Sequence, residues 1–515
     1  MNVSRRFFIG GAAAFGAFGG CKFLSAHDFR AGGKPNLKFG VVSDIHVRRI
    51  GGPEVRGSTA TFRHTLEWFR DQGVDAVMIA GDMADFGMVD ELEAVADSWY
   101  GVFPDGKALD GRRVEKVFVL GNHDHHGFLY GNGYAQRKYP DEAERWKHVL
   151  RADIKGHWQR IFHEDYSRFY RKDVKGYSFL GAHWDDGKGV ETKYGHGYDT
   201  FGVGLKEFLD AKGGSLNPAL PFFYVQHPHP KDTCYGSWAW GHDNGKVTAT
   251  LSKFPNAVAF SGHSHYSLTD ERSIWQGAFT SVGTSSLRYT GLEYDERPPS
   301  GYENSPSGGE RNAWRNAWRF DAPKMMPRMG EECCQGMLWS VYDDCIVVKR
   351  REFLTDLDLG DDWVIPLPVA ESKPFAFVER ARKFFAPTFP AGAKVTVETI
   401  KAKNRGGKSS DGKETIAAVE KEAFKISVPP PAADKAARLY ALEFTAEAKD
   451  GTKKTKAVIA NGFNQPLAHK DAQKGNHCVF AKDELPKGAV RFSVVPLNCF
   501  QRCGAALVSD WISVG

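Results

Sequence analysis

Between Leu37 and Phe353 the chain alternates short apolar runs with polar loops and stretches of helical spacing. The apolar runs are Lys38–Val42, Ala76–Ala80, Val117–Leu120, Tyr177–Leu180, Phe222–Val225 and Ala257–Phe260. Runs this short and this uniformly apolar suit strands buried on both faces. Thr59–Gln72 and Val89–Trp99 carry apolar residues at helical spacing and separate the first three strands. That alternation predicts a layered α/β domain over residues 36–355. Gln335–Tyr342 and Ile346–Phe353 read as a closing hairpin that turns at Asp343-Asp344. Before it, residues 287–332 are rich in Gly, Pro, Arg and Trp without a clear period. A stretch of that length exceeds what a connection needs and reads as a functional insertion or a lid.

A different pattern begins after residues 356–368, an acidic and then Pro-punctuated stretch that reads as a linker. Lys394–Thr399, Phe424–Val428, Leu439–Ala446, Lys456–Ala460, Val490–Val495 and Ala506–Ile512 are strand-like. Asp450-Gly451 marks a hairpin turn between two of them. Short strands punctuated by Pro and Gly predict a C-terminal all-β sandwich over residues 369–515.

Composition is compatible with this picture and narrows it little. The 515 residues are too many for one ordinary core, and 42% apolar with 25% charged content is typical of globular protein. No internal apolar run is long enough to span a bilayer as a helix. Charge placement adds more. Residues 369–515 hold 24 Lys and Arg against 15 Asp and Glu, an excess of +9 that leaves −4 for the rest of a chain of net charge +5. The basic region is either a solvated lysine-rich surface or a face for anionic envelope polymers or lipid headgroups. No segment resembles a nucleic-acid-binding motif.

The first 26 residues differ from all that follow. Ser4-Arg5-Arg6-Phe7-Phe8-Ile9 precedes a Gly-, Ala- and Phe-rich stretch and resembles a twin-arginine export signal. Residues 1–35 are therefore expected to be signal and linker, with the mature protein in the periplasm or cell envelope. Cleavage near Ala26 is one outcome, and a lipid anchor at Cys21, after a loose lipoprotein-type box, is the other. Eight cysteines are scattered along the chain, and oxidising conditions would let some pair.

The candidate chemistry lies where the strands end. Val41-Val42 leads into Ser43-Asp44-Ile45-His46, Ile79-Ala80 into Gly81-Asp82-Met83-Ala84-Asp85, and Val119-Leu120 into Gly121-Asn122-His123-Asp124. Tyr224-Val225 leads into Gln226-His227-Pro228-His229, and Ala259-Phe260 into Ser261-Gly262-His263-Ser264-His265. Open α/β sheets bind ligands beyond the carboxyl ends of their strands. Asp44, His46, Asp82, Asn122, His227, His263 and His265 can therefore converge in one crevice. Seven such donors exceed what one divalent ion needs and suit two ions that share a ligand. Asp82 is the natural bridge, since a carboxylate has two oxygens. The mixed set suits two divalent metal ions drawn from Mn, Fe, Zn or Co. Glycines before Asp82, Asn122 and His263 allow sharp turns close to them.

Taken in order, D-x-H, G-D-x-x-D, G-N-H-D, H and G-H-x-H resemble the calcineurin-like metallophosphoesterase superfamily over residues 44–265. The resemblance implies a four-layer α/β sandwich and a binuclear, metal-dependent phosphoester hydrolase. It implies that Asp44, His46 and His265 hold one ion, that Asn122, His227 and His263 hold the other, and that Asp82 bridges them. It further implies attack by a metal-bridging hydroxide on a phosphodiester or phosphomonoester substrate. His123 would then be the general acid, with its ring hydrogen-bonded by Asp124. Purple acid phosphatases place a Tyr where Asp85 stands, and 5′-nucleotidases usually place a Glu where Asp124 stands, so both branches are disfavoured. Asp85 is expected to hydrogen-bond a metal ligand or cap the next helix. His183 and His229 are expected to border the site. His125 and His126 read as loop residues or substrate contacts, and Trp238, Trp240, Trp314 and Trp318 as cleft or packing residues. Two rival classes stay open: a non-catalytic metal-containing scaffold, which the His123-Asp124 pair argues against, and a polymer-binding protein working through residues 369–515.

Overall fold

The structure is a computed structural model. It describes residues 33–48, 58–126, 139–184, 200–212, 215–236, 241–290, 333–403, 407–408, 415–417, 419–469, 474–500 and 502–514. The export segment, Cys21 and residues 291–332 of the expected insertion lie outside the described residues.

Among the described residues thirteen strands build the first domain. They are β1 (Leu37–Val42), β2 (Ala76–Ala80), β3 (Glu115–Val119), β4 (Phe169–Val174), β5 (Tyr177–Ala182), β6 (Phe222–Val225), β7 (Ala257–Ser261), β8 (Ile274–Gln276), β9 (Thr280–Gly283), β10 (Gln335–Val341), β11 (Cys345–Glu352), β12 (Leu357–Asp358) and β13 (Trp363–Pro366). One sheet runs β12-β11-β10-β1-β2-β3, with β13 also paired to β11, and the other runs β4-β5-β6-β7-β9-β8. β1, β2 and β3 are parallel, as are β5, β6, β7 and β9.

Each central strand feeds two cores. Phe39, Met78 and Val119 meet Phe179, Phe223 and Phe260 between the sheets, with the Phe39 and Phe223 rings 4.7 Å apart. Their neighbours Val77, Ile79 and Phe118 face outward onto Phe62, Leu66 and Trp99 of helices Ser58–Asp71 and Val89–Val102. Leu180, Tyr224 and Ala259 face Phe201, Leu205 and Leu251 of helices Thr200–Lys212 and Lys246–Leu251. Side chains alternate across a strand, so a strand buried on both faces must be apolar throughout. The layers are helix, sheet, sheet, helix.

The C-terminal region is all β apart from helix Phe377–Lys383 and a 3₁₀ turn. Its strands are β14 (Thr396–Lys403), β15 (Gly407–Lys408), β16 (Thr415–Ile416), β17 (Glu420–Val428), β18 (Leu439–Ala448), β19 (Lys453–Ile459), β20 (Asn476–Ala481), β21 (Gly488–Asn498), β22 (Leu507–Val508) and β23 (Ile512–Val514). β14-β17-β20 form one sheet, and β19-β18-β21, with β22 and β23 on β21, form another. Phe424, Ile426 and Phe480 of the first meet Leu442, Phe444, Phe492 and Val494 of the second in one core, as in a β-sandwich.

Several expectations need correction. Residues 356–368 are no free linker: β12 and β13 pair with β11, and Trp363 and Ile365 are buried in the core between the sheets. Their acidic and Pro-rich sequence is that of an edge, where Pro is tolerated. The run Ala506–Ile512 splits into β22 and β23 around Ser509-Asp510-Trp511. β4, β8, β9 and β20 carry no clean apolar run and went unread. Cys234, Cys345 and Cys499 are buried free thiols. Among the described residues no helix is long and apolar enough to cross a membrane.

Candidate metal centre

The parallel strands deliver their carboxyl ends to one crevice. Asp44 and His46 follow β1, Asp82 follows β2, Asn122 follows β3, His227 follows β6, and His263 and His265 follow β7. Five of these residues, Asp44, His46, Asp82, His263 and His265, have φ between 48° and 70°. Side chains other than glycine seldom adopt that region, and it costs on the order of 1–3 kcal/mol per residue. Main-chain bonds between loops hold them there: Asp44 N–H to Gly81 O at 3.0 Å, His46 N–H to Asp82 O at 3.0 Å, and Gly262 N–H to His227 O at 2.9 Å. The loops lie so close that a Cβ on Gly121 would overlap Asp82 Oδ1, and one on Gly262 would overlap Ser43 and the Asp44 carboxylate.

Three groups of potential ligand atoms result among the described residues, each within 4.8 Å of one another: Asp44, His46, Asp82 and His265; Asp82, His227 and His263; and His46, Asp85 and His123. Asp82 belongs to the first two. Asn122 follows Gly121, whose Cα lies against Gly81, and the Asn122 Oδ1 is buried without a hydrogen-bond partner. Asp44 Oδ1, buried as well, faces His265 Nε2 at 2.9 Å. Buried oxygens in native proteins are rarely left unpaired.

The imidazoles show what belongs between them. His46 Nδ1 donates to Asp85 Oδ1 at 3.1 Å, His227 Nδ1 to Ala80 O at 2.7 Å, and His265 Nδ1 to Tyr289 O at 3.0 Å. An ionised carboxylate or a carbonyl oxygen only accepts, so each Nδ1 carries the hydrogen and each Nε2 points inward. His46 Nε2 and His265 Nε2 are 3.1 Å apart, and His227 Nε2 is 3.1 Å from both His263 Nδ1 and Asp82 Oδ2. Facing nitrogen lone pairs at that distance repel unless a proton or a cation lies between them. The donor set therefore fits divalent cations.

The electrostatics agree. Burial opposes charge on Asp44, yet the His265 and His46 rings hold it well below the usual carboxylate range. Burial likewise opposes charge on Asp82, and His227 and His123 hold it low. Burial is outweighed at His46, which Asp44 and Asp85 hold well above the usual imidazole range, and at His227, which Asp82 lifts to about 9. Burial and the neighbouring His227 keep His263 far below. Without a cation, protons on His46 and His227 supply the positive charge that the carboxylates require.

His123 opens helix Asn122–His126 beside this centre. Its ring stands edge-on to His46 with centroids 4.6 Å apart, and its side chain is 27% exposed. The expected partnership with Asp124 is not formed. The Asp124 carboxylate instead accepts from the main chain of Gly121 at 2.8 Å, Ala84 at 2.7 Å and Met83 at 3.3 Å, which binds the β2 and β3 loops together. Burial and the charge of Asp82 push Asp124 up to about 7. The His123 ring is set by Asp85, whose main-chain oxygen accepts from Nδ1 at 2.8 Å. Burial lowers the His123 pKa against the pull of Asp82 and Asp85.

Asp85 thus serves two histidines, one through its carboxylate and one through its carbonyl, and Arg48 pairs with its second oxygen. Burial opposes charge on Asp85, yet its bond to His46 and the Arg48 guanidinium bring its pKa down to about 2. His229 lies between Ser261 Oγ at 2.6 Å and Ser264 Oγ at 2.7 Å, beside the His263 loop. His183 accepts from Leu120 N–H at 3.1 Å and packs against Trp158, outside all three ligand groups. His125 is buried, while Trp238, Trp240, Trp314 and Trp318 lie outside the described residues. Sequence reading passed over Arg48 and Tyr289. Arg48 repeats the two-residue spacing of Asp44 and His46, which is a usable signal. Tyr289, whose ring lies 4.3 Å from that of His265, sits in a stretch without a period and carries none.

Residues 37–267, a little under half of the chain, match the family model described as calcineurin-like phosphoesterase. No curated protein matches the chain. Among solved structures, a dimetal phosphatase from Danio rerio aligns at 14% identity over 65% of this chain and 99% of its own, with a TM-score of 0.35. A purple acid phosphatase from yellow lupin seeds aligns at 12% identity over 64% of this chain and 55% of its own, with a TM-score of 0.36. The family and the ligand cluster support a metal-dependent hydrolase acting on phosphoesters.

Proposed function

We propose that the chain is an exported phosphoester hydrolase working with two divalent ions. Asp44, His46 and His265 would hold the first ion, Asn122, His227 and His263 the second, and Asp82 both. The observation that carries this reading is the pair of ligand groups joined at Asp82, with inward nitrogens that demand positive charge. Two such ions neutralise phosphoryl oxygens and make water a nucleophile near neutral pH.

The chain's own residues supply the rest. His123 Nδ1 is committed to the Asp85 carbonyl, so Nε2 is the nitrogen that would protonate a leaving oxygen. Its partial exposure gives an ester oxygen access to that nitrogen. Asp85 keeps the His123 and His46 rings in fixed relation, which limits where the leaving group can stand. Asp124 fixes the loop that carries His123 by taking up its main-chain donors. The twin-arginine-like N-terminus supports export to the periplasm or envelope, and that route carries folded proteins, which permits metal loading beforehand.

The test is hydrolysis of bis-p-nitrophenyl phosphate and p-nitrophenyl phosphate by metal-free protein reloaded with Mn, Fe, Zn or Co, beside His123→Ala and Asp82→Asn. Metal-dependent turnover lost in both variants supports the reading, and the preferred ester separates diesterase from monoesterase. Two bound ions without turnover on either ester would favour the non-catalytic scaffold.

A further inference from the structure

One buried amide connects the two domains to the metal loops. Gln335, the first residue of β10, is fully buried. Its Oε1 accepts from Leu268 N–H at 2.8 Å, Ser267 Oγ at 3.1 Å and Ser285 Oγ at 3.1 Å. Its Nε2 donates to Asn464 O of the C-terminal domain at 2.8 Å, and its main-chain N–H donates to Ser286 O at 2.8 Å. The amide cannot be turned over, because Leu268 N–H only donates and Asn464 O only accepts.

The loops it holds are those behind the first ion's ligands. Ser267 and Leu268 follow His265 by two and three residues. Ser286 Oγ donates to Asp44 O at 2.9 Å, and Leu287 N–H donates to Ser43 O at 3.0 Å. Tyr289, whose N–H is held by Ser286 Oγ at 3.1 Å, offers its carbonyl to His265 Nδ1. Both Asp44 and His265 have positive φ, so they need such external holding. Among the described residues Gln335 makes no bond to the loops of Asn122 or His227. On the far side, Asn464 sits in a turn closed by Phe463 N–H to Ala460 O at 3.1 Å and anchored by Arg438 to Gln465 O at 2.6 Å.

We infer that Gln335 is a positioning residue through which the C-terminal β-domain sets the geometry of the first-ion site, Asp44 and His265, without touching the ion. The β-domain is then a structural part of the metal centre. This rests on the two-metal reading above.

The experiment is calorimetric titration of the metal-free full chain with Mn²⁺. His265→Ala and His263→Ala assign the first and second ion. In Gln335→Met the first ion is expected to bind about 10–100-fold more weakly, the usual effect of losing a residue that orients ligands, with the second ion within about threefold. Gln335→Glu keeps the acceptor for Leu268 but cannot donate to Asn464 while ionised. It isolates the arm to the C-terminal domain at the cost of a buried carboxylate beside Asn464 O, so thermal unfolding of both variants is read alongside the titration. Its first-ion affinity is expected to fall in the same direction by a smaller factor. Wild-type affinity in Gln335→Glu would overturn the role of the C-terminal domain. Equal loss at both ions, or none, in Gln335→Met would overturn the positioning role. Failure of the wild type to bind two ions would instead overturn the two-metal reading itself.

Discussion

His123 and Asp124 are adjacent in sequence and do unrelated work in space. They open a short helix, where successive side chains diverge by about 100°, so neighbours along the chain do not face each other. That is why the sequence suggested an Asp124–His123 pair that the structure replaces with Asp85. The positions of the metal-ligand candidates were legible, because each polar group interrupts an apolar run at its carboxyl end. Their supports Tyr289 and Gln335 were not, since the contacts that define them join residues 24 and 129 positions apart and involve a main-chain oxygen. His123→Ala is expected to lower kcat on bis-p-nitrophenyl phosphate by about 10²–10⁴-fold while both ions stay bound, as read by steady-state kinetics and elemental analysis. Asp124→Ala strands three buried main-chain donors, and each costs about 1–3 kcal/mol. Denaturant unfolding should therefore show a loss of at least about 3 kcal/mol, and a loss below about 1 kcal/mol would contradict the clamp.

At the scale of elements, strands fix positions and loops carry chemistry. Interior strands built of large apolar residues announced themselves, whereas β9, buried but reading Thr-Ser-Val-Gly, and the edge strands did not: β4 reads Phe-Tyr-Arg-Lys-Asp-Val, and β13 looked like linker because an edge tolerates proline. The loop after β6 is held by Asp243, which accepts from Gln226 Nε2 at 3.1 Å, Lys231 N–H at 3.1 Å and Gly245 N–H at 2.8 Å. Burial pushes Asp243 up to about 6 despite these bonds. Below about pH 4 both folded and unfolded chains are protonated there. As pH rises towards 6 the unfolded chain releases its proton first, so the folded chain loses relative stability. Asp243→Asn lacks this change. Between pH 4 and 7 the stability difference should drift against the wild type by roughly 1–3 kcal/mol in denaturant titrations of metal-free protein. A difference independent of pH would contradict it.

Across the whole molecule the two domains are locked by buried charge. Glu271 takes Arg350 at 2.7 Å, Arg380 and Trp363 Nε1 at 2.9 Å, while Arg272 lies 5.0 Å from the Tyr440 ring. Glu271→Ala leaves two buried arginines without their carboxylate, which costs about 3–5 kcal/mol. Calorimetry should show the C-terminal domain melting at a lower temperature than the rest, and an unchanged thermogram would contradict the lock. The sequence led to the expectation of two domains joined by a linker at residues 356–368, but carried no sign of the lock, because its members lie 79 and 109 positions apart. All of this bears on the centre proposed above, with two cation positions sharing Asp82. The most direct measurement is turnover of bis-p-nitrophenyl phosphate by metal-free protein against equivalents of added Mn²⁺. The expected curve rises to a break at two ions per chain and is abolished by Asp82→Asn. A break at one ion, or turnover without metal, would contradict a shared two-metal site.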